Sequence, residues 1–312
     1  FEKPHARIVD RALTPTTPVK PNKKRSLILA FILGSLLGCS IAVLLDILDN
    51  TIKNPDDVQG KLDVPLLGTI SKQKLDKDGE FPQLWQNPQS IFSEAIRTIR
   101  TGVVLSSLDE PAKIIVVTST LPGEGKSTLV LNLGAALAQM ERTLVIGADL
   151  RRPSLAKKCG LAPNHCGLSH FVSGTAELAD CIEEVEELGL FVMPAGIIPP
   201  NPLEMISSKL FVKALEQLRG RFDRIIIDSA PLQAVSDALI LSSYADSVVY
   251  VVKADSTPAT QVKKGIESVV ASNEPLTGVV LNQCDARKSG GYYSSMYYQY
   301  DDDSQGQELT KA

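Results

Sequence analysis

Gly123-Glu124-Gly125-Lys126-Ser127-Thr128 is the stretch of this chain whose residue types and spacing point most directly to chemistry. Glycines let backbone N–H groups turn onto phosphate oxygens, and a helix starting there adds partial positive charge. In such a loop Lys126 reaches the β/γ-phosphates and the Ser127 hydroxyl ligates Mg²⁺. The flanks fit. A β-branched run, Ile114-Ile115-Val116-Val117, precedes the loop, and Leu129, Leu131, Leu133 and Leu137 recur at helical spacing behind it. Strand, glycine loop, Lys-Ser and helix form a P-loop running from Thr120 through Leu121, Pro122 and Gly123 to Thr128. One letter departs from GxxxxGK[ST], because Thr120 stands at the first glycine position. The motif predicts a nucleoside triphosphate as ligand.

Two carboxylates close hydrophobic strand candidates. Asp228 ends Arg224-Ile225-Ile226-Ile227, and Asp149 follows Thr143-Leu144-Val145-Ile146-Gly147-Ala148. An Asp delivered by a strand beside a P-loop can hold Mg²⁺, so Asp149 and Asp228 join Ser127 as candidate metal ligands. A strand-end Asp can equally cap the next helix. Arg151 and Arg152 could neutralise phosphate charge or lie on a solvated face.

These residues need a scaffold. Apolar segments at 113–118, 143–147, 190–193, 224–228, 247–252 and 276–281 alternate with helical patterns. That predicts an α/β fold with a mostly parallel, doubly wound sheet. Ligands of such sheets bind beyond the carboxyl ends of the strands. Farther upstream, Pro55-Asp56-Asp57 reads as a helix start, Val64–Ile70 as a short strand and Ser71–Gln89 as a linker.

Leu27–Leu45 is nineteen residues without a charge, or roughly 28 Å of helix, long enough for a bilayer core. Gly34 and Gly38 add a weak GxxxG face. Lys23-Lys24-Arg25 before the run would be cytoplasmic by the positive-inside rule, whereas an ATP site after it must also be cytoplasmic. The nucleotide argument takes precedence and implies an earlier span. With no initiator Met at Phe1, the chain is expected to be a segment of a longer protein.

The 312 residues carry a net charge of −4 and a pI near 5.5, without a sustained basic stripe. That argues against a nucleic-acid partner. Cys39, Cys159, Cys166, Cys181 and Cys284 show no metal-ligand spacing and suit a reducing compartment. Five of the seven tyrosines, Tyr292, Tyr293, Tyr297, Tyr298 and Tyr300, share one nine-residue window ahead of an acidic run. Low complexity predicts disorder there. Beside an ATP site, an exposed tyrosine cluster reads as a phosphoryl acceptor; alone it would read as a sticky tail.

Together these motifs resemble the bacterial tyrosine kinases (BY-kinases), in the Wzc-like subgroup that joins a polysaccharide co-polymerase to a kinase. Glu94-x-x-Arg97-x-x-Arg100 resembles the family's EX2RX2R interface motif, although a solvated charged face would look the same. Ile146–Pro153 resembles the Walker A′ segment and Ile225–Pro231 the Walker B. Pro199–Met205 is similar to the PPNPxEL element, and Gly278–Asn282 to the closing strand whose Asn faces adenine in relatives. The resemblance implies catalytic roles for Lys126, Asp149, Asp228 and Arg151, with ATP and Mg²⁺ and with Asn282 added to the nucleotide contacts. It implies a ring-shaped homo-oligomer of the bacterial inner membrane, working with a polysaccharide polymerase, export machinery and a cognate tyrosine phosphatase. The expected organisation is a periplasmic end (1–25), a transmembrane helix (26–46) and a juxtamembrane segment with linker (47–90). A cytoplasmic kinase domain (91–290) and a tyrosine-rich tail (291–312) follow.

Two departures keep alternatives open. Gly147 replaces the first Asp of Asp-x-Asp-x-Arg, which leaves room for a nucleotide-binding scaffold with little kinase activity. Leu121 occupies the place of the signature Lys of MinD/ParA ATPases, which disfavours that third reading.

Overall fold

The computed structural model describes residues 22–72, 87–107, 111–162, 165–272 and 275–285. The expected tyrosine tail, most of the expected linker and the first residues of the expected periplasmic segment lie outside this range. By contacts the chain divides at Asn50/Thr51 into two units, described separately below.

The first unit contains helix α1, Lys23–Leu48, begun by the Asn22 side chain accepting from the Arg25 N–H. Lys23–Leu45 has a mean hydropathy of 2.6 and buries none of its window within the protein. A helix apolar on every side and exposed among the described residues fits a membrane anchor.

The second unit is built on eight strands. They are β1 (Leu66–Ser71), β2 (Ile114–Ser119), β3 (Thr143–Gly147), β4 (Glu183–Val185), β5 (Leu190–Met193), β6 (Arg224–Asp228), β7 (Ser247–Lys253) and β8 (Leu276–Cys284). The sheet order is β1-β8-β7-β2-β6-β3-β5-β4, parallel throughout except for the β4–β5 pair. Parallel strands covered on both faces are expected to be apolar without alternation. Accordingly β2, β3 and β6 are buried along their whole length. Alternate residues feed opposite cores. Ile115, Val117, Val145 and Ile226 face one layer, while Ile114, Val116, Ile146 and Ile227 face the other.

Helix α2 (Pro55–Leu62) starts where its sequence indicates, with the Asp57 carboxylate reaching back to the Lys53 and Asn54 N–H groups. Helix α3 (Ile91–Leu105) begins at Ser90, whose hydroxyl accepts the Ser93 N–H. Its stripe of Phe92, Ile96, Ile99 and Val103 is buried against β1 and the following helix. That next helix, α4 (Lys126–Ala138), is buried along most of its length. Helices α5 (Lys209–Arg219) and α6 (Ala259–Ala271) complete the longer elements.

Three features go beyond the sequence expectations. Strand β1 pairs in parallel with β8, so the segment read as juxtamembrane supplies an edge strand. Strand β4, carrying Glu183 and Glu184, was not foreseen, because a short charged edge strand has no apolar signature. Strand β8 runs on to Cys284 rather than ending at 281, which carries Asn282 and Gln283 to the carboxyl edge of the sheet.

Candidate active site

The carboxyl ends of β2, β3, β6 and β8 converge on a cleft of about 570 Å³. Gly123 (φ +82°) and Gly125 (φ +96°) take left-handed conformations open to glycine, and α4 starts immediately at Lys126. Its first N–H groups have no helical partner and face the cleft end of the helix. A side chain at Gly125 would also place its Cβ 2.0 Å from the Asn282 amide nitrogen.

The loop is braced from behind. The buried Glu124 carboxylate accepts from the Leu121 N–H (2.6 Å), the Lys253 N–H (3.2 Å) and the Thr257 hydroxyl (2.6 Å). The Asn282 amide donates to the Glu124 carbonyl (2.7 Å), and its oxygen accepts the Gln283 N–H (2.8 Å). Thr120 is buried with its hydroxyl 2.9 Å from that of Tyr250 on β7. A fully buried phenol needs a partner, which gives Thr120 a structural reason to replace the motif's glycine.

Asp228 closes β6 beside Gly147 and Val117 in register. It is 2% exposed, and its Oδ1 has no hydrogen-bond partner. Burial pushes its carboxyl up to about 6; the Asp149 charge adds to this, while Ser127, Lys126 and Lys158 oppose it. The Asp149 Oδ1 accepts the Arg151 and Arg152 N–H groups at 3.2 and 2.9 Å, closing a turn rather than capping a helix, since the next helix starts at Leu155. Arg151 does not project freely at phosphate. Its guanidinium clasps the fully buried Asp237 at 2.7 and 3.0 Å, which holds its pKa above the ordinary value. At Gly147 a Cβ would lie 3.2 Å from the Ala195 nitrogen and 3.4 Å from Leu155. At the position that the resemblance assigns to a carboxylate, a side chain would need its neighbours to give by a few tenths of an ångström.

Of the expected nucleotide and metal residues, Pro122, Gly123, Gly125, Lys126, Ser127, Thr128, Asp149 and Arg151 line the cleft. Thr120, Glu124 and Asn282 support it from behind. Sequence reasoning missed Ser154, whose hydroxyl donates to that of Ser127 (2.9 Å), and Lys158, whose ammonium donates to the Thr128 hydroxyl (3.1 Å). It also missed Gln283, which lines the cleft with a left-handed backbone (φ +58°). No short motif marks these three.

The EX2RX2R residues divide. Glu94 and Arg97 form an exposed ion pair at 3.1 Å, and Arg97 also donates to the Pro88 carbonyl. Arg100 turns inward, donating to the Ala136 carbonyl (3.0 Å) in the last turn of the P-loop helix. A cation there satisfies a terminal carbonyl and complements the helix dipole.

Among the described residues no group of three or more His, Cys, Asp or Glu side chains could enclose a metal. One hydroxyl, one partnerless carboxylate oxygen and phosphate oxygens instead suit a hard cation such as Mg²⁺.

With this geometry in place, comparison with known proteins is informative. The AAA domain family model matches residues 112–274, and the G-rich GNVR domain model matches residues 2–47. The chain is 35% identical over 211 residues to the tyrosine-protein kinase YwqD of Bacillus subtilis, covering 67% of this chain and 89% of that one. The chain belongs to the bacterial tyrosine kinases. To the tyrosine-protein kinase Ptk of Acinetobacter johnsonii it is 32% identical over 298 residues, 92% of this chain but only 40% of the relative. The chain therefore spans less than half of the longer BY-kinase it resembles. The crystal structure of the chimerical protein CapA2B2 superposes with a TM-score of 0.69 at 36% identity, covering 74% of this chain and 99% of that one. A BY-kinase fold with a P-loop is a nucleotide-binding site.

Proposed function

We propose that this chain is a membrane-anchored protein tyrosine autokinase, which transfers the γ-phosphoryl group of Mg·ATP to the Tyr292–Tyr300 cluster of a neighbouring subunit. The observation that carries the reading is the braced P-loop opening on the cleft lined by Lys126, Ser127 and Asp149, with the buried Asp228 beside Ser127. The α4 N-terminus and Lys126 bind the phosphates, and the glycines allow close backbone approach. Ser127 and Asp228, with Asp149 alongside, would hold Mg²⁺, which supplies charge neutralisation between the β- and γ-phosphates. A tyrosine oxygen forms the new bond to the γ-phosphorus as the bond to the β–γ bridging oxygen breaks, with ADP as leaving group. The phenolic proton is released to water. A loose transition state depends mainly on positioning and electrostatics, so a glycine at position 147 is compatible with transfer.

In this reading α1 anchors the chain in the bacterial inner membrane with residues 91–290 as the cytoplasmic kinase domain. Glu94 and Arg97 face the next subunit of a ring that works with polysaccharide polymerase and export machinery and is reset by a phosphatase. The packed Gly147 position also favours a second reading, a nucleotide-binding scaffold without transfer. Incubation of the purified chain with Mg·ATP separates the two. Phosphotyrosine is expected on the parent and absent from Lys126→Met and from the five-fold Tyr→Phe tail variant, which should still bind nucleotide. Phosphate release without phosphotyrosine would refute the kinase reading.

A further inference from the structure

Four cationic side chains line the cleft: Lys126, Arg151, Arg152 and Lys158. They are not equivalent. Lys126 begins the P-loop helix, and the Arg151 charge is compensated by the buried Asp237 carboxylate. Arg152 is exposed at the rim. Lys158 ends the short helix Leu155–Lys158, is half-buried, and reaches the P-loop through the Thr128 hydroxyl. Among the described residues no carboxylate lies within ion-pair distance of its ammonium, although its charge is felt at Asp228. A partly buried cation beside a helix N-terminus, with only a neutral hydroxyl as partner, forms half of an anion site. Its neighbours, the paired Ser127 and Ser154 hydroxyls and the end of β6, mark the side of the P-loop where a terminal phosphate would emerge.

We propose that Lys158 binds the terminal phosphoryl group of the nucleoside triphosphate, as a second cation beside Lys126. The inference rests on the nucleotide reading above and names a residue that its motifs leave out. A triphosphate carries more negative charge than one divalent cation and Lys126 neutralise. An ammonium on the γ-phosphoryl oxygens stabilises the charge that spreads over them as the group transfers, without being altered itself. A diphosphate has no group at that position. Lys158 therefore discriminates triphosphate from diphosphate, whereas Lys126 serves both.

The test uses the full chain in detergent, with Mg·ADP and a Mg-bound nonhydrolysable ATP analogue titrated separately by calorimetry, alongside the autophosphorylation rate. In Lys158→Met, ADP affinity should stay within about twofold of the parent, which also reports a folded site. Affinity for the triphosphate analogue should fall between about tenfold and a hundredfold, the scale of one charge-assisted hydrogen bond. Phosphorylation should fall at least as far, and Lys158→Arg should recover most of both. Equal loss of ADP and triphosphate binding in Lys158→Met would overturn the proposal in favour of mere loop support. So would a Lys158→Met rate equal to the parent's. Failure of the parent to bind either nucleotide would overturn the site reading itself, and the Lys158 role with it.

Discussion

Replacing Asp228 by Asn should make the nucleotide-free protein more stable while removing its activity. The wild-type carboxyl is buried at the end of β6 with one oxygen unpartnered, and burial lifts its pKa from 3.8 to about 6. A carboxyl whose folded pKa lies above its unfolded value binds a proton more tightly when folded. Its ionised form therefore opposes folding at neutral pH, and the penalty fades as the pH falls from about 6 towards 4. The interval between the two pKa values corresponds to about 3 kcal/mol. Asn keeps the shape and removes the charge. At pH 7.5 without nucleotide or Mg²⁺, Asp228→Asn should then melt roughly 6–12 °C above the parent, and near pH 4.5 the gap should largely close. Adding Mg·ADP should reverse the order, because only the carboxylate gains a cation and ligand binding to the folded state stabilises it. Differential scanning fluorimetry at the two pH values, with and without Mg·ADP, reads all four conditions. An Asn variant that melts at or below the parent at pH 7.5 without ligand would refute the argument from desolvation.

Other substitutions test the remaining supports. Arg151→Met leaves the fully buried Asp237 without its two bonds and should cost about 2 kcal/mol in urea unfolding; adding Asp237→Asn should return much of it. Gly147→Asp should not raise phosphorylation. Its Cβ is crowded by Ala195 and Leu155, so a loss of about 1–3 kcal/mol is expected instead. Arg100→Ala should lower stability by about 1 kcal/mol through the Ala136 carbonyl. Glu94→Ala with Arg97→Ala should leave stability within about 0.5 kcal/mol and change only the assembly seen by light scattering.

The parts legible in the sequence are those with dense local signals. The P-loop is contiguous, and seven of the eight strands, all but β4, are apolar runs that can be read directly. Asp228 and Asp149 were found because each closes such a run. What stayed hidden depends on contacts between distant segments. Arg100 is 36 residues from the carbonyl it caps and Lys158 is 30 from its hydroxyl, and neither spacing is encoded locally. Glu124 sits at a position the motif leaves open, so only the Thr257 and Lys253 contacts reveal what it does. Asn282 was expected at the adenine. Its amide donates to the Glu124 carbonyl and accepts the Gln283 N–H, two contacts that no local spacing marks.

Those hidden contacts change how the site works. A glycine-rich loop left to itself would sample many conformations and lose binding energy each time it ordered around phosphate. Here Thr120 bonds Tyr250, Glu124 bonds Leu121, Lys253 and Thr257, and Asn282 bonds the loop carbonyl. The phosphate cradle is thus fixed from β7 and β8, on the side of the loop away from β6. On the opposite side, among the described residues, the Asp228 Oδ1 has no partner and Lys158 donates to the Thr128 hydroxyl. In the proposed kinase, rigidity is concentrated where phosphates would be held, and unsatisfied charge where the transferring group and its cation would arrive. A site divided in this way needs little further chemistry from its own side chains, which is why the glycine at position 147 is compatible with transfer to an incoming tyrosine.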